Sequence, residues 1–573
     1  MAARLSRRPG RRVLLVLAAL AAVALALRLV ALGERVMYYD EAWFGYWVLR
    51  FVDTGAWAYR PTLHGPFFAR VNPSVFGLLG PSEFSGRLVV AGIGGLLPLV
   101  AWLFRERLRD AEVVALGALL ALNPILLYYS RFMRKDLPLA AFMLLTLGLV
   151  VRFADTRRPR YLYGAALSLG LAFGTKESVL LWLLTWLGAG VLLVDRRLLV
   201  ARTASPDGAR AAARDLLDRA AAGVRRWGHH VAGATLCFLV VVLYFYAPRA
   251  PAGGGPGLWN ALGGQFGQLP AVVSGGTVDA AAALWDHWVT GYKQDHPYLP
   301  YLQDTLRTLA AGAPAVCVLA VVGFLHDRYV GDGPRDLVAL GFYGGAASAL
   351  GYPLANHFPV PWSTVHAVAP LAIPAAVGAV VALGWVHNGA RDLLDGPAGV
   401  PALRGGLVGV AVVALVVSSA LTGATATYLE PHESPKHLPG ETADGGSELV
   451  YYAQPPASLR RGTDAIAAAA ASGGDDLDVL YVGDALAGDE SAMDRPPETG
   501  AWYARMPLPW YTEATGADVE SVRQASEIRG RPPVVVATPD AASQVAEELP
   551  TYRSFDQPLD DAGDRSVVFF VPR

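Results

Sequence analysis

Two adjacent carboxylates, Asp40 and Glu41, follow closely on an apolar run that ends near Leu32, within the stretch Tyr38-Tyr39-Asp40-Glu41-Ala42-Trp43. That spacing sets them at a bilayer edge, where an amphiphilic substrate presents its polar head. One carboxylate of such a pair can take the proton of an attacking hydroxyl while the other orients that acceptor or binds a sugar hydroxyl. The same residues also suit a helix start, Asp40 capping it and Glu41 facing its positive end. The spacing leaves both readings open.

A basic cluster stands in Tyr128-Tyr129-Ser130-Arg131-Phe132-Met133-Arg134-Lys135-Asp136. Three cations and a carboxylate between two apolar runs are costly unless they have partners or a use. Arginine can contact two phosphate oxygens at once and neutralise a departing phosphate, or Arg131, Arg134 and Lys135 can snorkel to lipid headgroups. Lys176 and Glu177, in Gly174-Thr175-Lys176-Glu177-Ser178, offer a second phosphate contact or a local ion pair. His64 in His64-Gly65-Pro66, and His357 and His366 around Pro359-Val360-Pro361-Trp362, could bind substrate or a divalent metal ion. A lone histidine at a membrane boundary is more often a structural hydrogen-bonding group.

The elements that must position these residues are apolar. With 573 residues, 53% hydrophobic and 17% charged, the chain is too apolar for an ordinary soluble protein and reads as a polytopic α-helical membrane protein. The expected spans are Val13–Leu32, Leu88–Phe104, Val113–Tyr129, Leu137–Phe153, Tyr161–Phe173, Val179–Val194, Val231–Tyr246, Leu306–Leu325, Leu337–Leu354, Val365–Val386 and Leu407–Tyr428, about 11 helices. Arg4, Arg7, Arg8, Arg11 and Arg12 lead into the first, which resembles a signal peptide but is long enough to span and has no small-residue cleavage site. The basic leader places the amino terminus in the cytoplasm, and arginines at 105–109, 157–160 and 195–230 fall on that same side. Segments 201–226 and 36–52 read as amphipathic helices, and the outer loop 247–304 as a lid.

After Tyr428 the pattern changes. Val479–Val482, Val534–Ala537 and Val567–Val571 are β-type runs, and Ala541–Leu549 reads as a helix, so 429–573 is expected to form a small extracytoplasmic α/β domain beyond a transmembrane domain at 1–428. This last segment holds 25 Asp and Glu against 11 Lys and Arg, a net charge of −14, leaving +13 on the membrane part. Such acidity suits a surface facing concentrated salt, as in a halophile. Cys237 and Cys317 lie in apolar runs, so no disulfide framework is expected. No P-loop or nucleophile elbow is present, and no nucleic acid partner is expected.

Taken together, Tyr39-Asp40-Glu41-Ala42, His64-Gly65-Pro66, Ser85-Gly86-Arg87, Tyr129-Ser130-Arg131 with Arg134 and Asp136, Gly174-Thr175-Lys176-Glu177, and Val360-Pro361-Trp362 with His366 resemble an archaeal flippase-activity-associated membrane family. That family is itself similar to dolichyl-phosphate-mannose protein mannosyltransferases and other polyprenyl-phosphate-dependent glycosyltransferases of the GT-C type. The resemblance covers roughly Val13 to Val386. It implies a multi-span enzyme that uses a dolichyl-phosphate-linked sugar as donor and a lipid-linked glycan or glycoprotein as acceptor. It also implies Asp40 as base with Glu41 completing the pair, and Arg131, Arg134 and Asp136 handling the lipid phosphate or an ion. His357-Phe358-Pro359 stands where the family carries an acidic residue followed by lysine.

Overall fold

Apolar runs surrounded by lipid must bond their backbone groups internally, and here they do so as helices. The computed structural model describes residues 10–251, 254–290, 297–331, 333–356, 358, 360–395, 400–432, 447–451, 453–472, 477–490, 499–560 and 565–573. In chain order the helices are α1 (Arg11–Leu29), α2 (Tyr39–Thr54), α3 (Phe67–Leu79), α4 (Glu83–Leu96), α5 (Asp110–Leu122), α6 (Pro124–Tyr129), α7 (Asp136–Thr156), α8 (Pro159–Thr175), α9 (Val179–Ala204) and α10 (Gly208–Tyr246). Three short ones follow, α11 (Leu258–Leu262), α12 (Leu269–Gly275) and α13 (Val278–Trp285). The bundle closes with α14 (Tyr298–Gly312), α15 (Pro314–Tyr329), α16 (Asp336–Ala355), α17 (Val365–Asp395) and α18 (Val400–Ala424).

Among the described residues eight helices are long and apolar enough to cross a membrane, and a ninth span results if α14 and α15, bent by 94°, count as one. The shortfall from eleven has local causes. The run 113–129 is cut at Asn123-Pro124, where the Asn123 side chain accepts from Leu126 N at 3.2 Å and Pro124 opens α6. Helix α8 has 17 residues, about 26 Å at 1.5 Å per residue, short of a ~30 Å hydrocarbon core. The run 306–325 breaks at Ala313-Pro314. No separate amphipathic helix forms at 201–226 either. Its Ala- and Arg-rich sequence favours helix throughout, so α9 runs to Ala204 and α10 restarts at Gly208 and continues for 39 residues.

Helix α17 runs through the middle of the bundle, packed on α15, α16, α18 and α5. Gly323 and Gly378 let α15 and α17 approach until a Cβ on either would meet the other's backbone.

The carboxyl-terminal segment carries α19 (Arg460–Ala471) and strands β1 (Val479–Val482), β2 (Val519–Val522), β3 (Val534–Ala537), β4 (Tyr552–Pro558) and β5 (Ser566–Pro572). They form one sheet in the order β2-β1-β3-β5-β4, with β1 parallel to β2 and β3, and β5 antiparallel to β3 and β4. The three apolar strands legible in the sequence are the central ones. The unread pair, β2 and β4, are polar edge strands with partly exposed faces.

This sheet unit sits on α2. The Trp510 ring fills the notch left by Gly45, where an added Cβ would lie 2.5 Å from Trp510 Cε3. Trp502 meets Tyr46 edge to face at 5.1 Å, Arg460 bridges to Glu83 at 2.6 Å, and the Tyr511 hydroxyl accepts from Met37 N at 2.8 Å. Gly45→Ala is therefore expected to cost about 1–3 kcal/mol through overpacking, read as a lower melting temperature and faster protease release of the carboxyl-terminal segment.

Arg50 bridges to Glu513 at 3.1 Å across the same contact. Burial raises the Glu513 carboxyl from an ordinary 4.5 to about 7, outweighing the opposite pull of Arg50. The docked state thus holds a proton that the free carboxyl has lost. This contribution to docking is complete below about pH 4.5 and is lost as the pH rises through about 7. Protease release of the segment is expected to rise between about pH 5 and pH 8 in wild type and to respond less in Glu513→Gln.

Candidate active site

One end of the bundle gathers the residues with chemistry, because the chain turns there after α1, before α7, between α8 and α9, and before α17. Asp40 lies in the first turn of α2, and its Oδ2 receives Arg134 Nη1 at 2.5 Å and the Tyr38 hydroxyl at 3.0 Å. The Arg134 guanidinium lies 3.4 Å from the Trp362 ring centroid, a cation–π seat that fixes its plane. Its Nε faces Asp136 Oδ2 at 3.7 Å.

Asp136 opens α7 and is buried. Its Oδ1 receives Lys176 Nζ at 2.8 Å and lies 3.2 Å from His366 Nε2. Trp182 Nε1 donates to His366 Nδ1 at 2.9 Å, which assigns the imidazole proton to Nε2 and directs it at Asp136. Asp40, Arg134, Asp136, Lys176, Trp362 and His366 thus form one connected set drawn from four stretches of the chain. Beside it, His64 Nδ1 pairs with Glu177 Oε2 at 2.9 Å, and the Tyr59 hydroxyl donates to Glu177 Oε1 at 2.6 Å. Burial opposes the Glu177 charge, but His64 and these hydrogen bonds outweigh it and hold the carboxyl below its ordinary value. Trp288, from the stretch between α13 and α14, stacks on His64 at 5.3 Å, so that stretch reaches the cluster. Lys135 donates to the Leu63 carbonyl and sits 3.8 Å from the Phe44 ring centroid. Burial lowers Lys135 to about 7. His357 lies outside the described residues.

Two expected members stand elsewhere. Glu41, fully buried, turns away from Asp40: Arg87 binds both of its oxygens at 2.8 Å, Arg35 adds a contact at 3.3 Å, and the amides of Tyr38 and Met133 donate at 3.2 and 2.7 Å. With every lone pair engaged, Glu41 is a clamp and not half of a catalytic pair. Its bond to Tyr38 N is the helix-start role. Arg131 donates to the carbonyls of Leu27, Arg28, Val30 and Ala31, and so caps the end of α1. Sequence reasoning missed Trp182 and Tyr59, ordinary aromatics in apolar stretches. Arg87 is legible only within the Ser85-Gly86-Arg87 motif.

Among the described residues no group of three or more His, Cys, Asp or Glu side chains could hold a metal ion. Asp136 is already surrounded by Lys176, Arg134 and His366, a donor set that does not fit a divalent cation.

The fold is that of the GT-C membrane glycosyltransferases. The chain is similar to the crystal structure of ArnT from Cupriavidus metallidurans in the apo state, with 16% identity, a TM-score of 0.53, and 96% of this chain and 97% of that one covered. The same enzyme bound to undecaprenyl phosphate aligns at 18% identity with a TM-score of 0.51 and the same coverage. Residues 63–209 match the family described as dolichyl-phosphate-mannose-protein mannosyltransferase. Residues 459–572 match the Agl23 flippase-associated protein C-terminal domain. The expected resemblance is thus met, to the mannosyltransferases within residues 63–209 and to the flippase-associated family in residues 459–572, a segment beyond the stretch that carried the motifs. No curated protein matches the sequence.

Proposed function

We propose that this protein transfers a sugar from a dolichyl- or other polyprenyl-phosphate donor to the hydroxyl of a lipid-linked glycan or glycoprotein, at the non-cytoplasmic face of the membrane. The observation that carries this reading is the exposure of Asp40. Its side chain keeps 23% of its surface, against 0% for Glu41, 2% for Asp136 and 8% for Glu177, so of the clustered carboxylates it is the one placed to meet a substrate. In the step proposed, Asp40 takes the acceptor's hydroxyl proton and the acceptor oxygen bonds to the anomeric carbon. The bond from that carbon to the phosphate oxygen breaks, and its electron pair leaves with the lipid phosphate. Arg134 and Lys176 stabilise the departing charge. Asp136, His366 and Trp182 hold Arg134 and Lys176 in place. The undecaprenyl phosphate bound by ArnT supports a polyprenyl-phosphate donor, and the net charge of −14 beyond Tyr428 supports an exterior location in concentrated salt for the sheet unit.

The match to a flippase-associated domain favours a second reading, a component that helps translocate dolichyl-phosphate sugars without transferring them. Membranes with and without the protein, given dolichyl phosphate carrying a labelled hexose, separate the two. Label is expected in lipid-linked glycan or glycoprotein only where the protein is present. Protein-dependent translocation without such label would overturn the transferase.

A further inference from the structure

A cavity of about 190 Å³ lies where α1 ends, between the first loop and the last turn after α18, and Glu34, Arg35, Arg87, Tyr128, Arg131 and His432 are among its walls. Arg28 lies against Arg131 with its Nη1 on the carbonyls of Ala24 and Ala121. With Arg460, which acts on His432, five guanidinium groups are therefore answered by three carboxylates: Glu41, consumed by Arg87 and Arg35, Glu83, bridged to Arg460, and the exposed Glu34. Among the described residues, three polar atoms on the walls are buried and not fully used: Arg35 Nε and Thr427 Oγ1 have no hydrogen-bond partner, and the Tyr128 hydroxyl, set beside the Arg35 guanidinium, has no acceptor for its own proton. Leaving such donors unpaired is costly, and excess positive charge around them selects an anion.

From this geometry we infer that the cavity binds a phosphate group at a site separate from the Asp40 cluster. Tyr128 divides the two: it also lines the cleft of Tyr38, Arg134 and Trp362. Arg35 and Tyr128 supply the donors, and the arginine excess supplies the field. The neighbouring Leu29, Val30, Leu421 and Leu429 expose apolar side chains, so a lipid could lay its chains along α1 and α18 with its phosphate in the cavity. Free phosphate has the same headgroup chemistry. The site stands whether or not the transferase reading holds.

Native mass spectrometry of the full chain tests it. The protein would be released from phosphatidylcholine nanodiscs with or without phosphatidic acid, and separately titrated with inorganic phosphate. Wild type is expected to retain phosphatidic acid. His432→Glu, which adds negative charge to the wall, should lower retention about tenfold, and Glu34→Gln should raise it. Retention of inorganic phosphate alone, with the same response to His432→Glu, assigns the site to free phosphate. Retention of neither, or retention indifferent to His432→Glu and Glu34→Gln in variants of unchanged melting temperature, overturns the proposal.

Discussion

Asp40→Asn is expected to lower sugar transfer by about 10²–10⁴, the range of a general base, with the folded protein still accumulating. Asparagine keeps the shape of the side chain and can still accept from the Tyr38 hydroxyl, which lies 3.0 Å away in wild type. It cannot take a proton. Arg134 loses its 2.5 Å partner but keeps Asp136 at 3.7 Å and the face of Trp362, so the cluster should retain its arrangement. Initial transfer rates in membranes of matched protein content, with a melting curve for each sample, provide the check. Transfer at the wild-type rate would remove Asp40 from the chemistry. Loss of transfer with translocation of the donor retained would place Asp40 in the reaction and not in passage of the lipid.

Glu41→Gln is expected to fail differently, by about 3–5 kcal/mol of stability, because it leaves two guanidinium groups without their counter-charge in a buried place. Arg87 and Glu41 have no exposed side-chain surface and Arg35 has 8%. The same carboxylate ties α4, the first loop and the Met133 amide together, so its loss should loosen the scaffold under Asp40. Little folded protein, or a melting temperature lowered by several degrees, is the expected readout. A Glu41→Leu, Arg87→Leu pair is expected to recover part of the loss, since it removes both charges. Full stability with lost transfer would instead return Glu41 to a catalytic role.

These two neighbours show what the sequence can and cannot tell. That Asp40 and Glu41 sit together at the end of a span follows from their order along the chain. That one faces the cleft and the other the core follows from the helical turn between them and from Arg87, 46 residues away. Such pairing leaves no periodic mark. Arg131 and Arg134 likewise look equivalent as bases at the end of one span, yet one closes α1 and the other meets Asp40. The apolar runs and the central strands were legible because composition and period fix them. The break at Asn123-Pro124 was visible as residue types, though its effect on span count depends on how the helix ends are capped. Trp182 was not legible, because its indole N–H finds His366 only after α9 and α17 have packed.

The bond from Met37 N to the Tyr511 hydroxyl joins residues 474 positions apart. At about 5–20 residues per second, the ribosome spends roughly half a minute to a minute and a half between making one partner and the other. Throughout that interval the segment bearing Asp40 is inserted but uncovered, with the Gly45 notch empty. Competence is thus deferred until Trp510 and Tyr511 have been made: a nascent chain that stalls before β1 holds the cleft residues without the sheet that braces α2. Docking of Trp510 then becomes the moment at which the brace on α2 is completed.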